Sequence, residues 1–403
     1  MPSAPLRIAL VSLHTSPGTD PGSGDAGGMN VVVRHQAAAL AELGHDVEVL
    51  TRRSSPDQPE VSQLAPGARL RVLDAGPARV LTKGLHEDHV EEFAERLRGL
   101  GPWDVVHGHH WFSGVAALPV ARERGVPYVQ SYHSVAADPS TPLSHGERPE
   151  SPGRLAGEAF LARESDLVVA ISRAEAETVS GRLRGAADRV VVVPPGVDSD
   201  AFHPGTRDVP PVVLTAGRLE PLKGADLALR AVAAMPEGRR PRLVVAGGTS
   251  SEHAAYEAEL VRLVADLGLQ DHVDLVGPQT RERLADLLRR SSVLLVPSHS
   301  ETYGLVALEA AASGTPVVAA AAGGLREAVV DGVTGRVLED RDPEAWATAL
   351  EEVLGHPATA ARLSRAARSH ALERPWLRSA RLLEDAYRRL LAPTPPVGDP
   401  VLA

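Results

Sequence analysis

Cysteine is absent from the 403 residues, which excludes disulfides, a thiolate metal site and a cysteine nucleophile. Aromatic residues make up only 3% of the chain, so its cores must be Ala, Val and Leu, as where helices pack closely on parallel strands. No apolar run approaches the roughly 20 residues of a membrane-spanning helix. The run Ile8–Leu13, after a single Arg, is too short for a signal peptide. A soluble cytoplasmic protein with no integral membrane segment is expected. A basic excess is also missing. The formal net charge is −10, which recommends neither nucleic acid nor an anionic membrane as a partner. What the chain does have is length and 43% apolar residues, enough for two domains of ordinary size.

The stretch Val293 to Ala320 shows how those domains are built. Val293–Val296 is a short apolar run of buried-strand character, ended by Pro297. A polar loop carries Glu301, a helical pattern follows over Gly304–Ala312, and Val317–Ala319 reads as the next strand. The fold class is therefore α/β. Further strands are expected in the first half at Leu6–Ser12, Val47–Leu50, Leu70–Leu73, Asp104–His107, Tyr128–Tyr132, Leu167–Ile171 and Val190–Val193. Helices are expected over Asn30–Leu43, Glu87–Leu97 and Arg154–Arg163, with an irregular loop over Asp138–Gly153. The second half gives strands Val212–Ala216, Leu243–Ala246 and Val273–Val276, then helices Pro343–Leu354, Ala358–Ala371 and Trp376–Leu391. This predicts two doubly wound, Rossmann-like domains facing across a cleft, residues 1–205 and 206–375. A helix over 376–391 is expected to pack back on the first domain, ahead of a disordered tail, 392–403.

Ligands in such sheets bind beyond the carboxyl ends of the strands, where Glu301 lies. Glu309, eight residues on, sits in a helix apolar on every side and has no cation nearby in sequence, so something from elsewhere must satisfy it. Between the two, the amides of Gly304, Leu305 and Val306 form a helix N-terminus suited to phosphate. The plain alternative is that Glu309 pairs with a distant Arg and Glu301 is a solvated loop charge. Arg218 and Lys223 stand at another strand end and helix start and would make a diphosphate clamp. The glycine-rich loop Gly22–Asn30 lacks the Gly-Lys-Ser/Thr of a P-loop and the tight G-x-G-x-x-G spacing, which disfavours a dinucleotide oxidoreductase. His107, His109 and His110 could be read as a metal cluster, but no carboxylate ligand is close by in sequence.

Glu301-x7-Glu309 with Gly304-Leu305 between, together with G-R-x-x-x-x-K over Gly217–Lys223, resembles the signature of retaining family-4 glycosyltransferases of the GT-B architecture. His14-Thr-Ser-Pro17, Gly24–Asn30 and His107-x-His109-x-Trp111 are similar to a narrower group, the D-inositol-3-phosphate glycosyltransferases of mycothiol biosynthesis. The resemblance covers nearly the whole chain. It implies transfer of N-acetylglucosamine from a nucleoside diphosphate donor, UDP rather than GDP, to a small polar acceptor such as 1D-myo-inositol 3-phosphate. It further implies retention by front-face attack, with the departing phosphate taking the acceptor's proton.

On this resemblance the catalytic residues are His133, Arg218, Lys223 and Glu301. The nucleotide sugar is held by Gly28, Arg218, Lys223, Gln279, Glu301, Gly304, Leu305, Val306 and Glu309. The acceptor is held by His14, Asp25, Asn30, Lys83, His110, Ser134 and Arg154. His110 stands where the group has Tyr, and Ser134 where it has Thr; His110 is expected to titrate near neutrality. A lysine usual in the following loop is replaced around Asp138-Pro139. No metal site and no required cofactor are implied; magnesium is compatible with the chemistry without being essential. A homodimer is an open assembly. The competing readings are a natural-product glycosyltransferase with another small acceptor (a cyclitol, aminocyclitol or thiol), a nucleotide-sugar epimerase, and a sugar-binding protein.

Overall fold

The structure is a computed structural model that describes residues 4–20, 27–249 and 251–392. Short apolar runs separated by helices leave parallel pairing as the natural way to bury both faces of a strand. The first sheet contains β1 (Arg7–Val11), β2 (Asp46–Arg52), β3 (Val61–Ala65), β4 (Ala68–Leu73), β5 (Val105–His109), β6 (Tyr128–Ser131), β7 (Leu167–Ala170) and β8 (Val190–Val192). Their order is β3-β4-β2-β1-β5-β6-β7-β8, and only the β3–β4 pair among them is antiparallel. Strand β3 has no apolar run and is largely open to solvent at the sheet edge, so hydrophobic pattern does not reveal it.

The second sheet is parallel throughout: β9 (Val212–Ala216), β10 (Arg242–Ala246), β11 (Val273–Gly277), β12 (Val293–Val296), β13 (Val317–Ala320) and β14 (Gly335–Leu338). Its order is β11-β10-β9-β12-β13-β14. Small side chains let its helices approach closely. Ala307, Leu308, Ala310 and Ala311, on the helix Leu305–Ala312, are buried against the sheet with at most 2% exposure.

Several boundaries differ from the sequence expectation. The helix placed at Glu87–Leu97 is a 3-10 turn, Lys83–His89, followed by an α-helix, Val90–Arg98. Strand β5 runs on to His109, and a helix not foreseen, Trp111–Glu123, follows at once. The irregular segment 138–153 holds one short 3-10 turn, Leu143–His145. The helix Trp376–Leu391 lies against the helix Gly28–Glu42 and puts Trp376, Ala380, Leu383 and Tyr387 into a core of the first sheet. Buried Tyr387 anchors it there, its hydroxyl 2.7 Å from His107 Nδ1. The tail expected to be disordered lies outside the described residues from 393 onward. No helix among the described residues is long and apolar enough to cross a membrane.

Candidate active site

In each sheet the strand order turns around at one place: between β1 and β5, and between β9 and β12. There the loops beyond the strand ends diverge and leave a crevice. The two crevices share one cavity of about 350 Å³, within the range of small-ligand sites. Of the residues assigned from sequence to catalysis, the nucleotide sugar or the acceptor, all but two line it. Arg154 lies behind its wall, and Asp25 lies outside the described residues.

On the second domain's side, β9 runs into Gly217-Arg218 and then a turn ending in Lys223. Lys223 Nζ lies 2.7 Å from Glu301 Oε1, which also accepts from Ser298 Oγ at 3.0 Å. Glu301 is therefore not the solvated loop charge of the plain alternative. Arg218 lies 3.2 Å from Glu220 and 3.8 Å from Glu147. Gly304 caps the next helix with φ +97°, and a Cβ there would run into Leu325. The amides of Leu305 and Val306 follow in the first turn, where no helical carbonyl precedes them.

Glu309 is 4% exposed, and burial raises its pKa despite the pull of Arg281. Arg281 Nη1 donates to Glu309 Oε1. The distant arginine held open as the plain alternative is thus present, yet it lines the same cavity. Gln279, two residues before it, donates its amide to the carbonyls of Val276 and Gly277 at 2.8 and 3.1 Å.

On the first domain's side, Gly28 opens its helix so close to the partner domain that a Cβ would lie 3.4 Å from Leu305. Asn30 is buried and ties the loop after β1, donating to the Ser16 carbonyl and the Thr15 hydroxyl. The His14 ring stacks obliquely on His110, centroids 4.3 Å apart. His110 is 2% exposed with φ +69°. Burial, then His14, Lys83 and Arg154, push its pKa well below 6.5. The expectation that His110 titrates near neutrality is corrected: it is a neutral imidazole at pH 7, and neither ring nitrogen has a hydrogen-bond partner.

Lys83 and Arg154, from separate segments, do meet a shared anion, but it belongs to the chain. Glu147 lies 3.1 Å from Lys83 Nζ through one oxygen and 3.2 Å from Arg154 Nη2 through the other. Arg154 has no exposure. It also binds Glu150, Glu158 at 2.8 Å and the Ser134 hydroxyl at 3.0 Å. Burial would raise the Glu147 pKa, but Lys83, Arg154 and Arg218 together hold it well below the usual carboxylate range. Glu158, by contrast, is pushed up to about 7 by burial. Glu158 lies at i+4 on the helix Arg154–Glu164, whereas Glu150 and Glu147 come from the irregular segment before it.

His133 follows β6 with φ +62°. Its carbonyl accepts from Thr302 Oγ1 at 2.7 Å. Its Nε2 lies 2.8 Å from His109 Nδ1. Behind them His107 has one defined tautomer. Ser131 Oγ donates to the Val169 carbonyl, so it accepts from His107 Nε2–H, and the Tyr387 hydroxyl donates to Nδ1. Both nitrogens of His107 are thereby used within the fold.

Residues 27–196 match the glycosyl transferase 4-like domain family, and residues 197–370 match the glycosyl transferases group 1 family. A D-inositol 3-phosphate glycosyltransferase of Nocardiopsis dassonvillei is 42% identical, covering 97% of this chain and 96% of that protein. One of the same name from Mycolicibacterium smegmatis is 40% identical over 96% and 92%. Among solved structures, a sucrose-phosphate synthase of Thermosynechococcus elongatus superposes with a TM-score of 0.87 at 29% identity, covering 96% of this chain and 99% of that one. HepE of Anabaena, solved in complex with UDP-glucose, shares the fold with a TM-score of 0.73 at 18% identity, over 95% and 100% of the chains. With two facing α/β domains and a cleft between their switch points, the chain belongs to the group 1 glycosyltransferases of GT-B architecture, alongside the D-inositol 3-phosphate glycosyltransferases.

Proposed function

We propose that the protein is a retaining hexosyltransferase that takes its sugar, N-acetylglucosamine first among candidates, from a UDP donor and places it on a small cyclitol acceptor. One observation carries this reading. Lys223, Glu301 and Arg218 converge beside the helix N-terminus at Leu305, on the cavity that His133 and Lys83 close from the other domain. In the reaction the bond from the sugar's anomeric carbon to the diphosphate oxygen breaks, and the acceptor hydroxyl bonds to that carbon from the same face. The leaving phosphate takes the hydroxyl proton. Negative charge grows on the diphosphate, where Arg218, Lys223 and the Leu305 and Val306 amides stabilise it. Glu301 and His133 orient the sugar. The scheme requires no cofactor and is compatible with magnesium.

The nucleotide bound by HepE supports UDP, and the name of the bacterial relatives supports an inositol-type acceptor. The reading places the protein in the cytoplasm. Calorimetry with UDP and GDP, followed by incubation with UDP-N-acetylglucosamine and NMR of the product's anomeric centre, tests it. Tighter binding of UDP and an α-linked product are expected. Absence of UDP binding, or an inverted centre, overturns it.

A further inference from the structure

Resting on that glycosyltransferase reading, we propose that Arg341, which lies outside the cavity wall, is a positioning residue for the leaving group. It clamps the turn that carries Lys223 against the end of β12. Strand β12 pairs with β13 as far as Val296 and with β9 as far as Leu295. Pro297 is buried and lies just beyond that ladder, so its carbonyl needs a donor from elsewhere. Arg341 Nη1 supplies it at 2.6 Å.

The clamp closes on Gly224. This residue ends the turn Pro221–Lys223 and opens the helix Ala225–Ala234, with φ +70°. A Cβ there would fall on the Pro297 carbonyl and on the Arg341 guanidinium, so three chain segments meet with no side chain between them. Two residues before Gly224, the Leu222 carbonyl accepts from His299 N at 2.8 Å. Lys223 is thus fixed from both sides: His299 holds residue 222, and Pro297 with Arg341 holds residue 224.

Arg341 stands between β14 and the helix Pro343–Gly355. It is half-buried, and burial lowers its pKa, with Asp226 foremost in opposing that shift. Asp226 sits in the first turn of the helix that Gly224 opens and accepts from the Tyr256 hydroxyl at 3.2 Å. The guanidinium is therefore held by charge as well as by the carbonyl, and a bond from a charged donor is stronger than one from a neutral group. Arg341, Asp226, Tyr256 and His299 all lie off the cavity. They reach the reaction only through the backbone they hold. A cation stabilises a leaving diphosphate best when it is already in place, and a small misplacement is expensive.

The test is a double-mutant cycle on the full chain. Transfer from UDP-N-acetylglucosamine to 1D-myo-inositol 3-phosphate, calorimetric UDP affinity and melting temperature are measured. The proteins are wild type, Arg341→Met, Arg341→Lys, Lys223→Ala and Arg341→Met combined with Lys223→Ala. Arg341→Met is expected to lower kcat at least tenfold while UDP affinity stays within threefold of wild type. Arg341→Lys, which keeps one charged donor for Pro297, is expected to bring kcat back to within threefold. In the Lys223→Ala background, Arg341→Met is expected to cost less than twofold more. If Arg341→Met does not fold, Arg341→Gln is read on the same terms. A lowered melting temperature with kcat unchanged overturns the proposal. So does an equal loss of kcat in the Lys223→Ala background, or a loss no smaller in Arg341→Lys. Failure of wild type to bind UDP or to transfer the sugar strikes at the glycosyltransferase reading itself, whereas additive losses in an active enzyme strike only at Arg341.

Discussion

The hydroxyl of Thr302 donates to the backbone carbonyl of His133 across the cleft, at 2.7 Å. Thr302 follows Glu301 in the second domain; His133 closes β6 in the first. His133 holds φ +62°, a left-handed conformation that costs about 1–2 kcal/mol for a residue with a Cβ. The Thr302 hydroxyl on its carbonyl offsets part of that cost. The loops that present the two assigned groups to the sugar are therefore coupled through one peptide.

Thr302→Val keeps the shape and removes the donor. One such bond is worth about 1 kcal/mol, so turnover should fall about fivefold with little change in melting temperature. A variant with unaltered kcat would show that this bridge does not position His133.

Glu175 is buried and accepts from Ile171 N at 2.6 Å, and burial lifts its pKa to about 7. A carboxyl whose folded pKa exceeds the unfolded one binds more protons when folded. Its contribution is fully present below about pH 4.5 and is lost as pH rises through about 7, up to roughly 3 kcal/mol in all. Urea unfolding should therefore show a downward limb between pH 5 and 7 that Glu175→Gln flattens. An equal limb in the variant would assign it to Glu158, raised to about 7 as well.

His107 acts in the opposite sense. It has no exposure, and burial lowers its pKa to about 3. The unfolded chain takes up this proton first, so the contribution is present above about pH 6.5 and drains as pH falls toward 3, by about 1.4 kcal/mol per pH unit. His107→Gln should cost stability at pH 7 yet give a shallower acid limb. A limb of undiminished slope would place the acid sensitivity elsewhere among the buried histidines.

These buried groups explain what the sequence could and could not tell. Strand–loop–helix units such as Val293–Ala320 are local, and β12 and its helix stand close to where the apolar run and Gly304 put them. Edge strand β3 and the 3-10 turn at Lys83 carry no such pattern and were missed. Site positions on strand ends were legible because the loop after each strand faces one crevice. Their partners were not: Glu147 for Lys83, Arg281 for Glu309 and Thr302 for His133 are set by tertiary approach, with sequence separations of 64, 28 and 169 residues. The protonation of His110 depends on the same packing, since an exposed imidazole in its place would titrate near neutrality.

Lys223 and Glu301 form a pair that a diphosphate would compete for. If Lys223 serves the leaving group, Lys223→Ala should lower kcat at least a hundredfold while raising the donor Kd only a few-fold, because charge on the diphosphate peaks in the transition state. Comparable losses in both, measured by steady-state kinetics and calorimetry, would make Lys223 a ground-state binder.

Arg281 and Glu309 test the nucleotide site without measuring catalysis. Glu309 is nearly fully buried, and Arg281 is its ion-pair partner. Arg281→Ala leaves a buried carboxylate uncompensated, which costs on the order of 3 kcal/mol where a buried pair is broken, less here because Arg281 is itself 23% exposed. The melting temperature without nucleotide should therefore drop. If Glu309 takes the ribose hydroxyls, UDP supplies the missing donors. Saturating UDP should then raise the melting temperature of Arg281→Ala by more than it raises that of wild type. Glu309→Gln, which keeps the shape but accepts hydroxyls poorly at its NH₂, should weaken UDP binding about tenfold. If Glu309 is purely structural, Arg281→Ala is destabilised to the same degree with and without UDP, and Glu309→Gln binds UDP as wild type does. Scanning fluorimetry of the three proteins, with and without UDP, separates the two roles.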